Sequence, residues 1–455
     1  MNSEMIEAAN QLLYKAVDYL DPKEVLRYYL ALNQHYQIDQ NHMPIPIWRR
    51  KGFSDQGLEA WNKIKTINAQ IPIDRNLSIY IHVPLCPSRC SFCDCLTRVV
   101  HQDVHKTLDN YLETLLKEIN AWKHCGNLSE RPVRTIHLGG GTPLFLGYDR
   151  FKILVKSLRS SFNIKTQTEW ALETTCRSLN TKNLEGLTKL GFRRLHLGVQ
   201  SMEPDVRPLL KRRETPERIL EKIKAARQLG WIVSVDLLVG LPSETLDGML
   251  DGIEQLIHAG VDGFSVYEIN ISTQNMTFAN QYHLLTRDRR ENYLMFVAAV
   301  IFLLKQGYSK NLFNHFANER DQNLYFTFPL RSEDCLAIGA YADGVFEDYH
   351  YRHLDYLETI RTTSTYQPAI QGGIKRPLEM KNLFPIEIAL LSGEIIEDQL
   401  KSALSDTETQ ALLSRWRAAL LIEEYQSGIY SLTPNGAWFS GNMIQDLHRM
   451  AATHG

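Results

Sequence analysis

The sequence predicts an α/β chain: a parallel sheet of six strands joined by helices, with a helical segment before it and a small winged-helix-like domain after it. Three observations carry this reading. Between Ser78 and about Ile271, short apolar runs alternate with amphipathic helical patterns. Before about residue 75 the pattern is helical only. After about residue 380 it changes to short helices, then a strand, a turn and a helix in GIYSLTPNGAWFSGNMI.

Taken in order, the first 75 residues read as helices, interrupted by the Pro-containing MPIPIW and closed by a helix around Trp61. The strand-like runs are SIYIHV (78–83), RTIHLG (134–139), EWALET (169–174), RRLHLG (193–198), SVDLLVG (234–240) and FSVYEI (264–269). Helical patterns fill the gaps, among them 106–122, 181–190, 215–229 and 244–259. Strands alternating with helices imply parallel pairing through right-handed crossovers. Periodicity alone does not choose between a partial barrel and an open doubly wound sheet. The stretch 290–375 is mixed, with the apolar helix NYLMFVAAVIFLLKQG and the turn LAIGAYADG. The domain boundaries expected are 1–75, 76–375 and 376–455.

Composition narrows the function classes. At 455 residues the chain is too long for one ordinary core of roughly 100–200 residues. A hydrophobic content of 44% with 22% charged residues is that of a soluble globular protein. The formal net charge of −2 gives no bulk field for nucleic acid or an anionic membrane. No run of about 18 apolar residues occurs, so no membrane-spanning helix is expected. The N-terminus reads as an amphipathic helix rather than a signal peptide. Seven cysteines, at 86, 90, 93, 95, 125, 176 and 335, are too few and too unevenly placed for a disulfide scaffold. Reduced thiols in a cytoplasm are expected.

Four of those thiols lie within ten residues, in YIHVPLCPSRCSFCDC, directly after the first strand. Active sites of βα folds sit at that carboxyl end. The spacing CxxxCxxC brings three thiolates, Cys86, Cys90 and Cys93, close enough to wrap three irons of a cubane cluster. The fourth iron stays open to an external ligand, as cleavage of S-adenosylmethionine (SAM) to a 5′-deoxyadenosyl radical requires. A zinc site is the alternative, but it uses paired CxxC elements and no second pair is present. Cys125, Cys176 and Cys335 read as buried small hydrophobes.

The run YIHVPLCPSRCSFCDC resembles the signature of the oxygen-independent coproporphyrinogen III oxidase family of radical SAM proteins. GGGTP (139–143), Glu173, LGVQS (197–201), Arg212 and DLLVGLP (236–242) follow in family order. The resemblance implies a partial (β/α)6 radical SAM barrel, a 4Fe–4S cluster on Cys86, Cys90 and Cys93, and one or two SAM molecules. Aligned by motif, Tyr80, Gly140 and Glu173 would face a cluster-bound SAM. Phe92, Gly141, Thr142, Gln200, Arg212, Asp236 and Asn270 would face a second. Arg213 follows Arg212, and a one-residue shift would exchange them. The residue types suit these roles. Glycines admit close backbone approach, and Glu173 can accept from the methionyl ammonium. Gln200 and Arg212 offer donors, and Asp236 suits ribose hydroxyls. His82 would donate toward the cluster. Tyr80 and Cys95 are the candidate catalytic side chains. Cys95 is read as near the cluster and not ligating, because a fourth thiolate would block SAM.

Three outcomes compete for the chemistry. A class C radical SAM methyltransferase or cyclopropanase is favoured, since the core motifs are kept while the flanks differ. MPIPIWRRKGFSDQGLEAW stands where the oxidases carry an RYTSYPT-like segment, and ETTCRSL replaces their EIDPRE-like sequence. Oxidative decarboxylation of coproporphyrinogen III is the alternative, supported by Cys95. A haem chaperone is third. It would draw on His350 and His353 of EDYHYRHLDYL, which otherwise read as part of a surface helix or loop. The expected partners are a small-molecule substrate and an electron donor such as flavodoxin or ferredoxin. The N-terminal segment, with Trp48 and Trp61, is expected to cap the barrel mouth.

Overall fold

The computed structural model describes residues 3–41 and 52–452. Its centre is a run of six parallel strands: β1 (Leu77–Val83), β2 (Pro132–Gly140), β3 (Asn163–Thr175), β4 (Arg194–Gln200), β5 (Ile232–Val239) and β6 (Gly263–Glu268). All six runs read from the sequence are strands. The largest difference is at β3, which starts six residues earlier than expected. Its polar first half, NIKTQT, is held in the sheet partly by the Thr168 hydroxyl donating to the Val133 carbonyl at 2.6 Å.

Five crossover helices cover the outside: α1 (Val104–Lys123), α2 (Tyr148–Ser161), α3 (Thr181–Leu190), α4 (Pro216–Gln228) and α5 (Leu246–His258). Each buries an apolar stripe, such as Leu108, Tyr111, Leu112, Leu115, Ile119 and Trp122 on α1. A sixth helix, α6 (Arg289–Lys305), is buried at nearly every position. A helix apolar all round needs partners on every side. It finds them in the sheet, in the N-terminal helices and in the C-terminal region.

The sheet extends at both ends. β7 (Ser309–Leu312) and β8 (His315–Ala317) add antiparallel strands beyond β6. On the other side β9 (Asp334–Ile338) lies parallel to β1, followed by β10 (Asp343–Phe346), β11 (Tyr349–His353) and β12 (Ile370–Lys375). Phe313, between β7 and β8, lines one cavity together with Val345 of β10 and Lys375 of β12. The two ends of the sheet therefore curl toward each other without pairing. Of the two sheet forms left open by periodicity, the chain adopts the partial barrel.

Helices Ser3–Tyr14 and Pro22–Leu30 pack on α6 rather than over the barrel mouth. Tyr29 meets Tyr293 at 6.1 Å between ring centroids, and buried Asn435 donates to the Tyr28 and Ala419 carbonyls at 3.0 Å each. Trp61 packs edge-on against Trp122 of α1 at 4.9 Å. Among the described residues, none of the first 75 lines the cysteine-loop cavity. The expectation of an N-terminal cap is corrected for the described helices and Trp61, while Trp48 and MPIPIW lie outside the described residues. The apolar stripes of these helices found α6, an apolar surface larger than the loop rim.

The C-terminal residues run helix (Phe384–Ser392), strand (Glu394–Ile396), helices (Glu397–Lys401, Asp406–Ala418), then the hairpin Ile422–Gln426 and Ile429–Leu432. That is the order of a winged helix. Ser405 and Glu408 form a reciprocal cap at the start of its third helix. EDYHYRHLDYL is not a surface helix or loop: its first half is β11, and His353 is buried with its Nε2 2.6 Å from Glu118. The alternation of Tyr349, Tyr351 and His353 onto the buried face explains the strand.

Candidate functional site

The cysteine loop leaves β1 at its carboxyl end and is pinned to the neighbouring strand end. The Gly141 and Thr142 N–H groups donate to the Val83 and Leu85 carbonyls at 2.8 and 3.0 Å. The Arg98 and Val100 N–H groups donate to Pro84 and Cys86 at 2.7 and 3.0 Å. Farther along, Arg89 donates to the Cys93 carbonyl at 3.2 Å, and Asn275 to the Phe92 carbonyl at 2.7 Å. A loop tied at so many carbonyls presents its thiols in one place.

Cys86, Cys90, Cys93 and Cys95 line a single cavity of about 240 Å³ with Phe92, Gly140, Gly141, Thr142, Glu173, Gln200, Arg212 and Asp236. The structure thus collects every expected site residue there except Tyr80, His82 and Asn270. Tyr80 stands just below. Its hydroxyl is 2.9 Å from His82 Nδ1 and its ring stacks on Tyr325 at 5.2 Å. Asn270 lies elsewhere. Its amide donates to Asp94 at 2.6 Å, next to Cys93, while the residue lines a neighbouring cavity with Tyr267 and Arg289. The chain turns away after β6, so Asn270 supports the loop from outside.

The carboxylate of Glu173 is held from two sides. His137 Nε2 is 2.7 Å from Oε1, and the Gly140 N–H donates to Oε2 at 3.1 Å. Burial alone would raise its pKa, but these partners outweigh burial and keep it below the usual carboxylate range. It is a fixed negative charge beside the thiols, with lone pairs left for an ammonium. Asp236 differs: burial, aided by the charge on Glu173, pushes its pKa up to about 6. Burial also pushes His82 down to about 4, so its ring is neutral.

Two glycines are needed for their lack of a side chain. Gly140 has φ +108°, and a Cβ there would lie 2.6 Å from the His82 ring. A Cβ on Gly141 would lie 2.9 Å from Cys86 Sγ. The glycines let this strand end pack directly on Glu173, His82 and Cys86.

Among the described residues, no three His, Cys, Asp or Glu side chains converge as a single bound ion would require. A cubane makes a different demand, one thiolate on each of three irons. Cys95 is exposed, and its thiol donates to Asp94 Oδ1 at 3.9 Å. Its closeness to Cys93 lowers the pKa of Cys93 and raises its own. Replacing Cys95 with Ala is expected to leave iron content at the wild-type level after reconstitution. Loss of about a quarter or more of the iron would make Cys95 a ligand.

Reading the sequence alone passed over His137, His196, Tyr325 and Arg89. The first two were within reach. Tyr80 is in register with His137, and Glu173 with His196. Side chains two apart share a face, so the inward row of each strand follows once one member is known. Tyr325 comes from a loop between β8 and β9 and carries no such signal.

Residues 80–266 match the radical SAM superfamily. The match runs from the first of the six parallel strands to the last and includes the whole cysteine loop. The chain's homologues include the oxygen-independent coproporphyrinogen III oxidases. That of Salmonella typhimurium is 30% identical over 254 residues, covering 55% of this chain and 54% of the relative. That of Escherichia coli is 31% identical over the same length and coverage. The chain spans about half the length of these curated relatives. The haem chaperone HemW of Buchnera aphidicola is 24% identical over 272 residues, covering 59% of this chain and 70% of the relative. The solved structure of E. coli coproporphyrinogen III oxidase (HemN), described as a radical SAM enzyme, shares the fold. Its TM-score is 0.73 at 22% identity, covering 90% of this chain and 99% of that one.

The family implies a 4Fe–4S cluster and SAM, and the residues present fit both. Three thiols open into one cavity. Gln200 Oε1, Arg212 Nε, His196 Nε2 and Thr174 Oγ1 are buried with no partner in the protein, on residues that line that cavity. Orphaned polar atoms inside a protein cost free energy unless a ligand or water meets them. The Arg212 guanidinium lies over the Phe92 ring at 5.5 Å, leaving a flat aromatic surface beside the cluster loop.

Proposed function

We propose that this enzyme carries out oxidative decarboxylation of a propionate-bearing porphyrinogen, the reaction class of its coproporphyrinogen oxidase relatives. The observation that carries the reading is a second cavity of about 720 Å³ on the far side of Tyr325. Tyr325, Phe326, Phe328 and Phe384 give it aromatic walls, and Lys375 and Lys381 stand at its rim, both beside Asp348. A cavity of that size is in the range for a large flat ligand. Its aromatic walls suit pyrrole rings. The methyl-transfer outcome favoured from the flanks has no support among the relatives. Nine of the nineteen residues of one of those flanks, 43–51, are not described.

The cluster and SAM, when bound, supply the 5′-deoxyadenosyl radical that removes a hydrogen atom from the substrate. The chain's own residues do the rest. Cys86, Cys90 and Cys93 would hold the cluster. Glu173 would fix the methionyl ammonium, and the Gly140–Gly141 cradle admits the ligand to backbone distance. Tyr325, stacked on Tyr80 at 5.2 Å between ring centroids, would form the wall of the second cavity nearest the cluster strand. A flavodoxin or ferredoxin is the proposed electron donor. Among the described residues no helix is long and apolar enough to cross a membrane.

The test is anaerobic incubation of reconstituted protein with SAM, a reductant and coproporphyrinogen III. The expected products are 5′-deoxyadenosine, methionine, carbon dioxide and a vinyl-bearing porphyrinogen, with the electron released on decarboxylation passing to an added one-electron acceptor, and no S-adenosylhomocysteine. S-adenosylhomocysteine formed in step with 5′-deoxyadenosine would return the methyl-transfer reading.

A further inference from the structure

The mouth of the cysteine cavity shows water charges of one sign. Of the charged side chains that line it, Arg177, Lys211 and Arg213 are exposed, while Glu173, Asp236 and Glu214 are half-buried. The chain as a whole has a formal net charge of −2, so this positive rim is local. Among the described residues, none of the three exposed cations forms an ion pair. Exposed cations elsewhere do. Arg27 meets Glu423 at 3.0 Å, Lys63 meets Asp55 at 2.7 Å and Lys117 meets Glu113 at 2.7 Å. The two cations farther in already have partners. Arg89 donates to the Cys93 carbonyl at 3.2 Å and to Gln274 at 3.0 Å. Arg212 lies over the Phe92 ring and donates to the Gly198 carbonyl at 3.4 Å.

The turn that carries Lys211 and Arg213 is fixed from inside. Buried Arg207 donates to the Glu214, Val199 and Ser201 carbonyls at 2.6, 3.0 and 2.7 Å. The Lys211 and Arg212 N–H groups donate back to the Pro208 and Arg207 carbonyls at 3.0 Å each. The turn so closed holds Lys211 at φ +57°, a conformation uncommon for a residue with a side chain. The Ser91 N–H donates to the Leu210 carbonyl at 3.3 Å, so the turn is bonded to the cysteine loop between Cys90 and Cys93. On the same loop Leu96 is 52% exposed, between Cys95 and Thr97, which line the cavity. An exposed apolar side chain near unpaired cations on a fixed backbone has the make-up of a protein docking face.

We propose that Arg177, Lys211 and Arg213, with Leu96, form the docking face for the electron donor, an acidic one-electron carrier protein. Exposed cations hold a small anion weakly, because water and salt screen them. Summed over an interface, they steer and orient a partner of opposite charge. The thiol loop is where an electron for the cluster must arrive, and this face lies on that loop. The carrier is oxidised by one electron and the cluster is reduced by one, and no atom or proton crosses the interface. The proposal rests on the radical SAM reading of the thiols and is independent of the substrate reading above.

The test compares the reconstituted wild type with the double variant Arg177→Gln, Lys211→Asn. Asparagine tolerates the left-handed backbone at 211, so only charge is removed. The first readout is the Kd of a bacterial flavodoxin, titrated at an ionic strength of about 0.01 M, where screening is weakest. The Kd is expected to rise about fivefold in the double variant and further in Lys211→Glu. The difference should vanish near 1 M salt, where the Debye length is about 3 Å. The second readout is 5′-deoxyadenosine formation. It should fall by a similar factor with limiting reduced flavodoxin and stay at the wild-type rate with dithionite, which needs no docking face. A wild-type Kd in the double variant at low salt, or no saturable binding of flavodoxin to the wild type, would overturn the proposal. So would an equal loss with dithionite and a raised substrate KM, which would give these cations to substrate carboxylates. Absence of dithionite-driven SAM cleavage in the wild type would instead sink the radical SAM reading. The flavodoxin titration needs no turnover and reads the face separately.

Discussion

Replacing Cys86, Cys90 or Cys93 with Ala, one at a time, is expected to lower 5′-deoxyadenosine production to the level of protein without iron. Each thiolate holds a separate iron, and no described side chain stands by to replace it. Cys95 is the nearest thiol, but it is turned to the exposed side of the loop, where it donates to Asp94 at 3.9 Å. Cys86 lies buried on the short strand Leu85–Cys86, against Thr142 Oγ1 at 3.5 Å, and has no freedom to be exchanged for a neighbour. A cluster left with two protein ligands is bound far more weakly and loses the differentiated fourth iron. The measurement is iron content and 5′-deoxyadenosine yield after anaerobic reconstitution. Normal turnover in any one of the three variants would show that the wrong thiols have been assigned.

Gly140→Ala is expected to be nearly as damaging, although it removes no ligand. Two costs combine. An alanine at φ +108° is strained by about 1–3 kcal/mol. Its Cβ would also lie 2.6 Å from His82, whose ring is buried and tied to the Tyr80 hydroxyl at 2.9 Å. The ring cannot retreat without breaking that bond, so the strand end must move. That strand end carries the N–H that orients Glu173, and Gly141 beside it touches Cys86. With every 1.4 kcal/mol a factor of ten, SAM affinity should fall about tenfold or more. Iron content should be kept. Equilibrium titration with SAM against cluster absorbance checks both. Wild-type affinity would mean the cradle does not touch the ligand.

The cysteine loop and the six strands were legible because local chemistry dictates them. CxxxCxxC has one common use at a strand end, and apolar runs of six residues between helices leave little choice of pairing. Glu173 and Asp236 were legible through the motifs that surround them, by resemblance. The buried line Ser265–His315–Asp321 was not, because His315 and Asp321 follow the core run by about 50 residues and meet it only through β8. Asn270 was misplaced for a related reason: motif alignment carries on along the chain, whereas the chain itself turns at the end of β6. The N-terminal helices were assigned to the barrel mouth from their position in the sequence. Their destination was fixed by α6, whose apolar surface on all sides had no partner in the barrel alone.

Substrate contacts fall where sequence patterns are weakest. Tyr325, Phe328 and Phe384 come from loops and from the C-terminal region, and nothing in their spacing announces a shared cavity. Only the curl of the sheet brings β7–β8 and β10–β12 across from each other.

The central claim is that three thiolates leave one iron open for SAM. The most direct measurement is the electron paramagnetic resonance spectrum of the reduced, reconstituted protein with and without SAM. SAM is predicted to change the signal of a 4Fe–4S cluster, and to do so equally in Cys95→Ala. A cluster signal that SAM leaves untouched would mean that the fourth iron is closed and would contradict the account.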